Sequence, residues 1–198
     1  MTFVLGLTGS IGMGKTTTAR MFAEAGAAVW DADAAVHRLY APGGAAVAAV
    51  GALVPDAVQE GVDRGILRAA LLADPALLPR LEAAVHPLVA LDRAAFLAGA
   101  EGVAVLDVPL LFERGIDAEC DGVAVASASA PTQMARLRAR GLSEAEADLL
   151  LSRQMPDADK RARARWVVPT ETLDGARAAV AAILREIGAG VPPPLPRL

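Results

Sequence analysis

The chain has 198 residues, of which 54% are hydrophobic and 21% charged, so a disordered chain is excluded and one domain, or one core with inserted lobes, is expected. The formal net charge of −4 argues against nucleic acid or an anionic membrane as the main partner. No apolar run approaches the roughly 18 residues of a membrane-spanning helix, and one cysteine, Cys120, excludes an internal disulfide. Together these observations predict a soluble cytoplasmic protein.

A phosphate-binding motif stands near the start of the chain. Gly9, Gly14, Lys15 and Thr16 match the pattern G-x-x-x-x-G-K-[S/T], between an apolar segment typical of a buried strand and a segment with helical spacing. Glycines let successive N–H groups point inward and form an anion cradle. Lys15 is expected to reach the β- and γ-phosphates, and the Thr16 hydroxyl to bind Mg²⁺. The residues expected to bind ATP are Gly9, Gly12, Met13, Gly14, Lys15, Thr16 and Thr17.

A second predicted strand ends at Asp31-Ala32-Asp33. Ligands of an open parallel sheet bind beyond the carboxyl ends of its strands, so both carboxylates are expected near the phosphate loop. Residues two apart on a strand face the same side, so one aspartate can be aimed at the site with the other nearby. Alternatively, Asp33 is the N-cap of the helix that follows, and the sequence leaves both roles open.

Residues 34–100 are rich in alanine and predicted to be helical. Asp74-Pro75 is a good helix start, with Asp as N-cap and Pro in the first turn. His86-Pro87 is predicted to end that helix and to begin another. A helical stretch of this length is too long for a single crossover, which indicates a lobe inserted between the second and third strands.

Three further strands follow this stretch. Gly102 to Asp107 is apolar and ends in an aspartate, the pattern of a second nucleotide motif whose carboxylate holds Mg²⁺ directly or through water. Gly122 to Ser127 and Trp166 to Val168 complete a set of five strands.

Two short helices are predicted between the last two strands. The first runs from Thr132 to Arg140 and carries several arginines, and Ser143 to Glu146 forms a capping box that opens the second. Such a pair suits a mobile lid whose arginines neutralise a transferring phosphoryl group, although it also suits a solvated charged face. The final residues, 191–198, are predicted to be a proline-rich tail.

Taken together, these motifs resemble those of the dephospho-CoA kinase family. The matching segments follow the family order and are LTGSIGMGKTT, the DAD of Asp31–Asp33, the HP of His86-Pro87 and VPLLFE at Val108–Glu113. The resemblance implies an α/β P-loop nucleotide-kinase fold with a five-stranded parallel sheet flanked by helices. It further implies a nucleotide-binding core (1–33, 101–135 and 157–190), a helical CoA-binding lobe (34–100) and a lid (136–156).

The resemblance also implies an activity, namely ATP-dependent phosphorylation of the ribose 3′-hydroxyl of dephospho-CoA to give coenzyme A and ADP. Asp33 would be the general base, Arg140 would reach the transferring phosphate, and Asp107 would order Mg²⁺. The chain departs from the pattern A-D-x-V-I-D-N that such proteins often have, because Arg165 and Thr170 replace its acidic residue and its asparagine.

Three other functions also use a phosphate loop of this kind. Another small-molecule or nucleoside monophosphate kinase would share the ATP site and differ in the acceptor lobe. A GTP-binding switch usually carries D-x-x-G and N-K-x-D, but Asp107 is followed by Val108-Pro109-Leu110 and no N-K-x-D is present. An inactive nucleotide-binding module is disfavoured because Lys15, Thr16 and Asp33 are all present.

Overall fold

The computed structural model describes residues 2–190, and the predicted proline-rich tail, 191–198, lies outside the described residues. The chain divides into two units. One comprises the chain up to Val29 and from Ala100 onward, and the other comprises Trp30–Gly99. Within the part of the chain that is described, no helix has the length and apolar character to cross a membrane.

Five strands form one sheet in the order β2-β3-β1-β4-β5. They are β1 (Phe3–Thr8), β2 (Ala28–Asp31), β3 (Val103–Asp107), β4 (Gly122–Ser127) and β5 (Trp166–Pro169). Strand β1 pairs in parallel with β3 and β4, and β4 pairs in parallel with β5. The inner strands are buried on both faces, which explains why they read as unbroken apolar runs. The predicted five-stranded parallel sheet is therefore confirmed.

The helices of the first unit cover this sheet. They are α1 (Lys15–Glu24), α6 (Ala130–Ala139), α7 (Glu144–Leu151), α8 (Asp157–Arg163) and α9 (Leu173–Gly188). Phe22 of α1 and Val180 of α9 join Leu5 and Val105 of the sheet in one buried cluster. The last helix, α9, is amphipathic, and its buried residues are Ala176, Val180 and Ile183.

The second unit is a bundle with a hydrophobic cluster of its own. Its helices are α2 (Ala32–Tyr40), α3 (Val47–Leu53), α4 (Arg64–Ala73) and α5 (Leu77–Gly99). Within it, Asp92 of α5 accepts hydrogen bonds from Trp30 Nε1 and Arg38 Nη2, each at 2.7 Å. The bond from Trp30, helped by Arg38 and opposed by burial, lowers the pKa of the Asp92 carboxyl. These bonds fasten Trp30, just before α2, and the last turn of α2 to the longest helix of the unit.

Helix α5 corrects the prediction that one helix ends and another begins at His86-Pro87, because it is continuous and contains Pro87. A proline inside a helix removes one backbone hydrogen bond. Here the residues on both sides of Pro87 pack into the same cluster, with Leu81 and Val85 buried and Leu88 partly buried, so tertiary packing outweighs the local signal. The predicted start at Asp74 is a turn instead, in which the Asp74 carboxylate accepts the N–H of Ala76 at 3.0 Å.

An ion pair between the fully buried Lys160 and the partly exposed Glu113 joins the segment after β3 to α8. Lys160 Nζ lies 2.9 Å from Glu113 Oε1 and also donates to the carbonyl of Pro109 at 3.1 Å. Burial raises the pKa of the Glu113 carboxyl, but hydrogen bonds from Lys160 and from the Met155 N–H outweigh it, so the pKa lies below its usual value. The Glu113 carboxyl is therefore ionised at neutral pH.

We expect Lys160→Met to lower the free energy of unfolding by about 2 kcal/mol at pH 7, because it removes the charged partner of Glu113 and the donor to the partly buried carbonyl of Pro109. Urea unfolding measures this loss. Since the pKa of Glu113 is lowered on folding, the contribution of the pair is complete above the unfolded pKa of a glutamate, about 4.3. It is lost as the pH falls through the folded pKa, so the difference between parent and variant should shrink below about pH 4.

The matched control is Arg177→Met, which removes an exposed ion pair with Glu24 in which both side chains are 57% exposed. An exposed pair contributes less than about 1 kcal/mol. Equal losses of unfolding free energy in Lys160→Met and Arg177→Met would contradict the role given to the ion pair of Lys160 with Glu113.

Candidate active site

The phosphate loop, Gly9–Gly14, connects β1 to α1 and depends on its glycines. Gly12 and Gly14 have φ of 80° and 89°, a region that side chains disfavour. A Cβ at Gly9 would lie 2.7 Å from the carbonyl oxygen of Ala126 on β4, so no side chain fits there. Gly14 is also the N-cap of α1, which places the positive end of the helix dipole at the loop. This is the backbone of an anion cradle.

Lys15 and Asp107 are brought together at the carboxyl ends of β1 and β3. Lys15 Nζ lies 2.5 Å from Asp107 Oδ1, and the side chains are 15% and 2% exposed. The parallel register, in which Leu7 stands beside Asp107, puts the end of β3 directly next to the start of the loop. Two residues 92 positions apart in sequence therefore share one buried corner of the site.

The oxygen donors at this corner suit Mg²⁺. The Thr16 hydroxyl is exposed in the first turn of α1, and the Asp107 carboxylate closes β3. Among the described residues, no group of three or more His, Cys, Asp or Glu side chains could hold a metal. Mg²⁺ commonly takes only one or two protein oxygens and completes its shell with phosphates and water, so the pair Thr16 and Asp107 fits its chemistry.

Side chains outside the motif bind the carbonyls of the loop. Gln133 Nε2 donates to the carbonyl of Ile11 at 2.7 Å, Arg136 Nη1 to that of Gly12 at 3.2 Å, and Thr170 Oγ1 to that of Met13 at 2.6 Å. Sequence reasoning missed all three as site residues. The position of Thr170, directly beyond the carboxyl end of β5, was the one available signal.

The two predicted helices between β4 and β5 are confirmed as α6 and α7. The capping box that opens α7 is complete, with reciprocal hydrogen bonds between Ser143 and Glu146. Arg140 caps the end of α6, and its side chain is exposed. Beyond α7, Gln154 Oε1 accepts the N–H of Ile11 at 3.0 Å, which ties the end of this segment to the phosphate loop.

Of the two predicted aspartates after β2, Asp31 is the helix cap. Asp31 Oδ1 accepts the N–H groups of Asp33 and Ala34 at 2.8 and 3.0 Å. The alternative that Asp33 caps the helix is therefore wrong, because α2 begins at Ala32, two residues earlier than a cap at Asp33 would require. Asp33 lies in the first turn of α2, where its side chain is exposed and a negative charge is favoured by the helix dipole.

The second unit contains a cleft of about 530 Å³, lined in part by His37, Tyr40, Gln59 and Arg64. Arg64 Nη1 makes a short contact with Nε2 of His37. Burial raises the pKa of the Tyr40 hydroxyl, an effect that the nearby Arg64 charge partly offsets, so the hydroxyl is a proton donor at neutral pH.

Comparison with known proteins finds relatives that match nearly the whole chain. A sequence profile of the family described as Dephospho-CoA kinase matches residues 3–174. A relative from Jannaschia sp. (strain CCS1), named Dephospho-CoA kinase, is 55% identical over 193 residues, covering 96% of this chain and 100% of the relative.

Solved structures agree with this match. A crystal structure of a Thermus thermophilus protein, 32% identical, has a TM-score of 0.81 and covers 93% of this chain and 97% of its own. A dephospho-CoA kinase from Campylobacter jejuni is only 19% identical, but its TM-score of 0.66, with 96% of this chain and 99% of that chain covered, shows the same fold. From the profile match and the full-length relatives, this chain belongs to the dephospho-CoA kinase family.

Proposed function

We propose that this protein transfers the γ-phosphoryl group of ATP to the ribose 3′-hydroxyl of dephospho-CoA, giving coenzyme A and ADP. The observation that carries the proposal is the phosphate loop, with two left-handed glycines and Lys15 held on Asp107 at its end. The acceptor is inferred from the name that the relatives carry. Because ATP is the cosubstrate, we also infer a cytoplasmic location.

In this proposal the loop and the start of α1 hold the triphosphate. The residues proposed to contact it are Gly9, Gly12, Met13, Gly14, Lys15, Thr16 and Thr17. The N–H groups supply a concave row of donors, and Lys15 supplies a mobile positive charge for the β- and γ-phosphates. Phosphoryl transfer needs positioning and charge neutralisation more than covalent chemistry from the protein, so these groups carry most of the catalysis.

Mg²⁺ would be held by the Thr16 hydroxyl and by Asp107, which fit its preference for hard oxygen ligands. When bound, the ion neutralises charge on the phosphates during transfer. Asp107 Oδ1 also lies 2.5 Å from Lys15 Nζ, which supports a second role for Asp107 in positioning the lysine. The position of the lysine is thereby set by the end of β3 as well as by its own helix.

The acceptor is proposed to bind in the helical lobe, 34–100, for which the cleft beside α2 and α4 offers space and a guanidinium, that of Arg64. Asp33 is proposed as the general base for the 3′-hydroxyl. Two features support this role: the carboxylate has no hydrogen-bond partner among the described residues, and Asp31 already caps α2. The charge of Asp33 is therefore not required to start the helix.

The experiment that tests the function is ADP release with ATP and dephospho-CoA, with AMP and adenosine as control acceptors. We expect turnover with dephospho-CoA only, and Lys15→Ala should lower it by about 10²-fold or more, because a charge that acts on the transition state is removed. The Asp107 carboxylate loses its ion pair with Lys15 in this variant, so assays belong well below the melting temperature of the variant. Turnover with AMP that equals or exceeds turnover with dephospho-CoA would reassign the acceptor, and normal turnover in Lys15→Ala would reject the site.

We expect Asp33→Asn to lower kcat by roughly 10² to 10⁴, because the amide cannot accept a proton. The melting temperature should change little, since Asp33 contributes only a first-turn charge to α2. The matched control is Asp31→Asn, which keeps the helix cap because Asn caps about as well as Asp. If kcat falls in Asp31→Asn and not in Asp33→Asn, the base is Asp31.

Residues 136–156 are proposed to be a lid that closes over the transferring phosphate, with Arg140 as the residue that reaches it and with Arg136, its first residue, staying bound to the carbonyl of Gly12. Three features support this proposal. The Arg140 side chain is exposed, and Leu149 of α7 is 54% exposed although it is apolar. The hydrogen bond from the Ile11 N–H to Gln154 places one end of the segment at the phosphate loop.

Hydrogen exchange should show the amides of α7 becoming more protected when a non-hydrolysable ATP analogue and dephospho-CoA are both added, because closure buries this helix. The amides of α9 serve as the internal reference and should not change, since that helix already packs into the core of the first unit. Equal protection of α7 with and without ligands would contradict a lid.

A further inference from the structure

The carbonyl oxygens of the phosphate loop are held by three donors that the motif does not contain. The donors are Gln133 and Arg136 from α6 and Thr170 from the end of β5, and they bind the carbonyls of three consecutive residues, Ile11, Gly12 and Met13. We name these three side chains the donor belt. A loop that turns its N–H groups inward must turn carbonyls outward, and each outward carbonyl that is removed from water needs a donor.

Two members of the donor belt, Arg136 and Thr170, also bind each other. Arg136 Nη1 lies 3.1 Å from Thr170 Oγ1, and Arg136 Nη2 donates to the backbone carbonyl of Thr170 in a short contact. A hydroxyl has one proton, and Thr170 Oγ1 lies 2.6 Å from the Met13 carbonyl but 3.2 Å from that of Ser127. The Ser127 carbonyl already accepts the Thr170 N–H at 2.8 Å, so the hydroxyl proton goes to Met13.

The belt also fits closely against the two glycines that shape the loop. A Cβ at Gly12 would lie 3.2 Å from atoms of Gln133, and a Cβ at Gly14 would lie 3.1 Å from Thr170. Gln133 and Thr170 are themselves only 6% and 7% exposed. The belt therefore supports the loop at the two points where its backbone adopts the left-handed conformation.

We propose that Gln133, Arg136 and Thr170 are positioning residues that hold the phosphate loop in its anion-binding conformation, so that the ordering of the loop is complete before the triphosphate arrives. A flexible loop would lose conformational freedom on binding ATP, and that loss would weaken the affinity. By fixing the outward carbonyls during folding, the belt keeps the N–H groups aimed at the cradle. The inference rests on the proposed use of ATP and not on the identity of the acceptor.

The test uses Thr170→Val, which keeps the shape of the side chain and removes the hydroxyl. The probe is inorganic tripolyphosphate, which has the phosphates of ATP and no base or ribose. Its affinity is measured by calorimetry and by inhibition of ATP turnover. We expect its dissociation constant and the KM for ATP to rise together by about 5- to 10-fold, the effect of one lost hydrogen bond. The kcat and the KM for dephospho-CoA should change by less than about twofold.

Two control variants separate positioning from general stability. Thr170→Ser keeps the hydroxyl and should restore parental affinity. Thr172→Val removes the hydroxyl that accepts the N–H of Gly175 at 3.1 Å and so caps α9, so it should lower the melting temperature without changing the affinity for tripolyphosphate. Gln133→Met, which removes the donor to Ile11 at similar side-chain length, should reproduce the joint rise if Thr170→Val fails to fold.

Three outcomes would overturn the proposal. A rise in the KM for ATP without a change for tripolyphosphate would mean that Thr170 acts on the nucleoside. Equal changes of the melting temperature and of the affinity for tripolyphosphate in Thr170→Val and Thr172→Val would mean that the Thr170 hydroxyl only stabilises the fold. Failure of the parent protein to bind tripolyphosphate would reject the belt together with the loop. Tripolyphosphate binding needs no acceptor, so failure to phosphorylate dephospho-CoA would reject the proposed function and leave this test intact.

Discussion

A phosphate loop can aim its N–H groups at one point only if its carbonyl oxygens face away from that point. The rest of the first unit follows from this constraint. Gly12 and Gly14 supply the left-handed backbone, and Gly9 lets the loop pass against β4. The outward carbonyls then need donors, which come from α6 and from the end of β5. A parallel sheet satisfies this need because the carboxyl ends of its strands meet at one edge.

The parts of the site that the sequence predicts are those in which a short pattern has one physical solution. A glycine-rich turn that lies between a strand and a helix and ends in Lys15 and Thr16 is suited to binding an anion. Asp107 was predictable for a similar reason, because an acidic residue that ends a buried strand must lie at the ligand edge of the sheet. The capping box of Ser143 is equally local, since both of its hydrogen bonds lie within four residues.

The parts that the sequence does not predict depend on distant packing. Pro87 looks like a break until the cluster of the second unit is known, because only that cluster shows that both halves of α5 bury the same face. The cap moves from Asp33 to Asp31 when the helix start moves by two residues, a shift within the usual error in predicted boundaries. No sequence pattern marks Gln133 as a contact of the phosphate loop, since its partner, the carbonyl of Ile11, lies 122 residues away.

Separate cores explain how one chain can combine two binding tasks. The cluster around Leu5 and Phe22 stabilises the sheet and the phosphate loop, and the cluster around Val50 and Leu81 stabilises the helical unit. Substitutions that reshape the cleft beside α2 and α4 therefore act on a cluster that contains no residue of the loop. The geometry of the phosphate site, in contrast, depends on β1, β3, β4 and β5 together. Under the proposed function, this arrangement would allow the choice of acceptor to change while the phosphate loop keeps its geometry, because neither set of contacts has to be rebuilt when the other is altered.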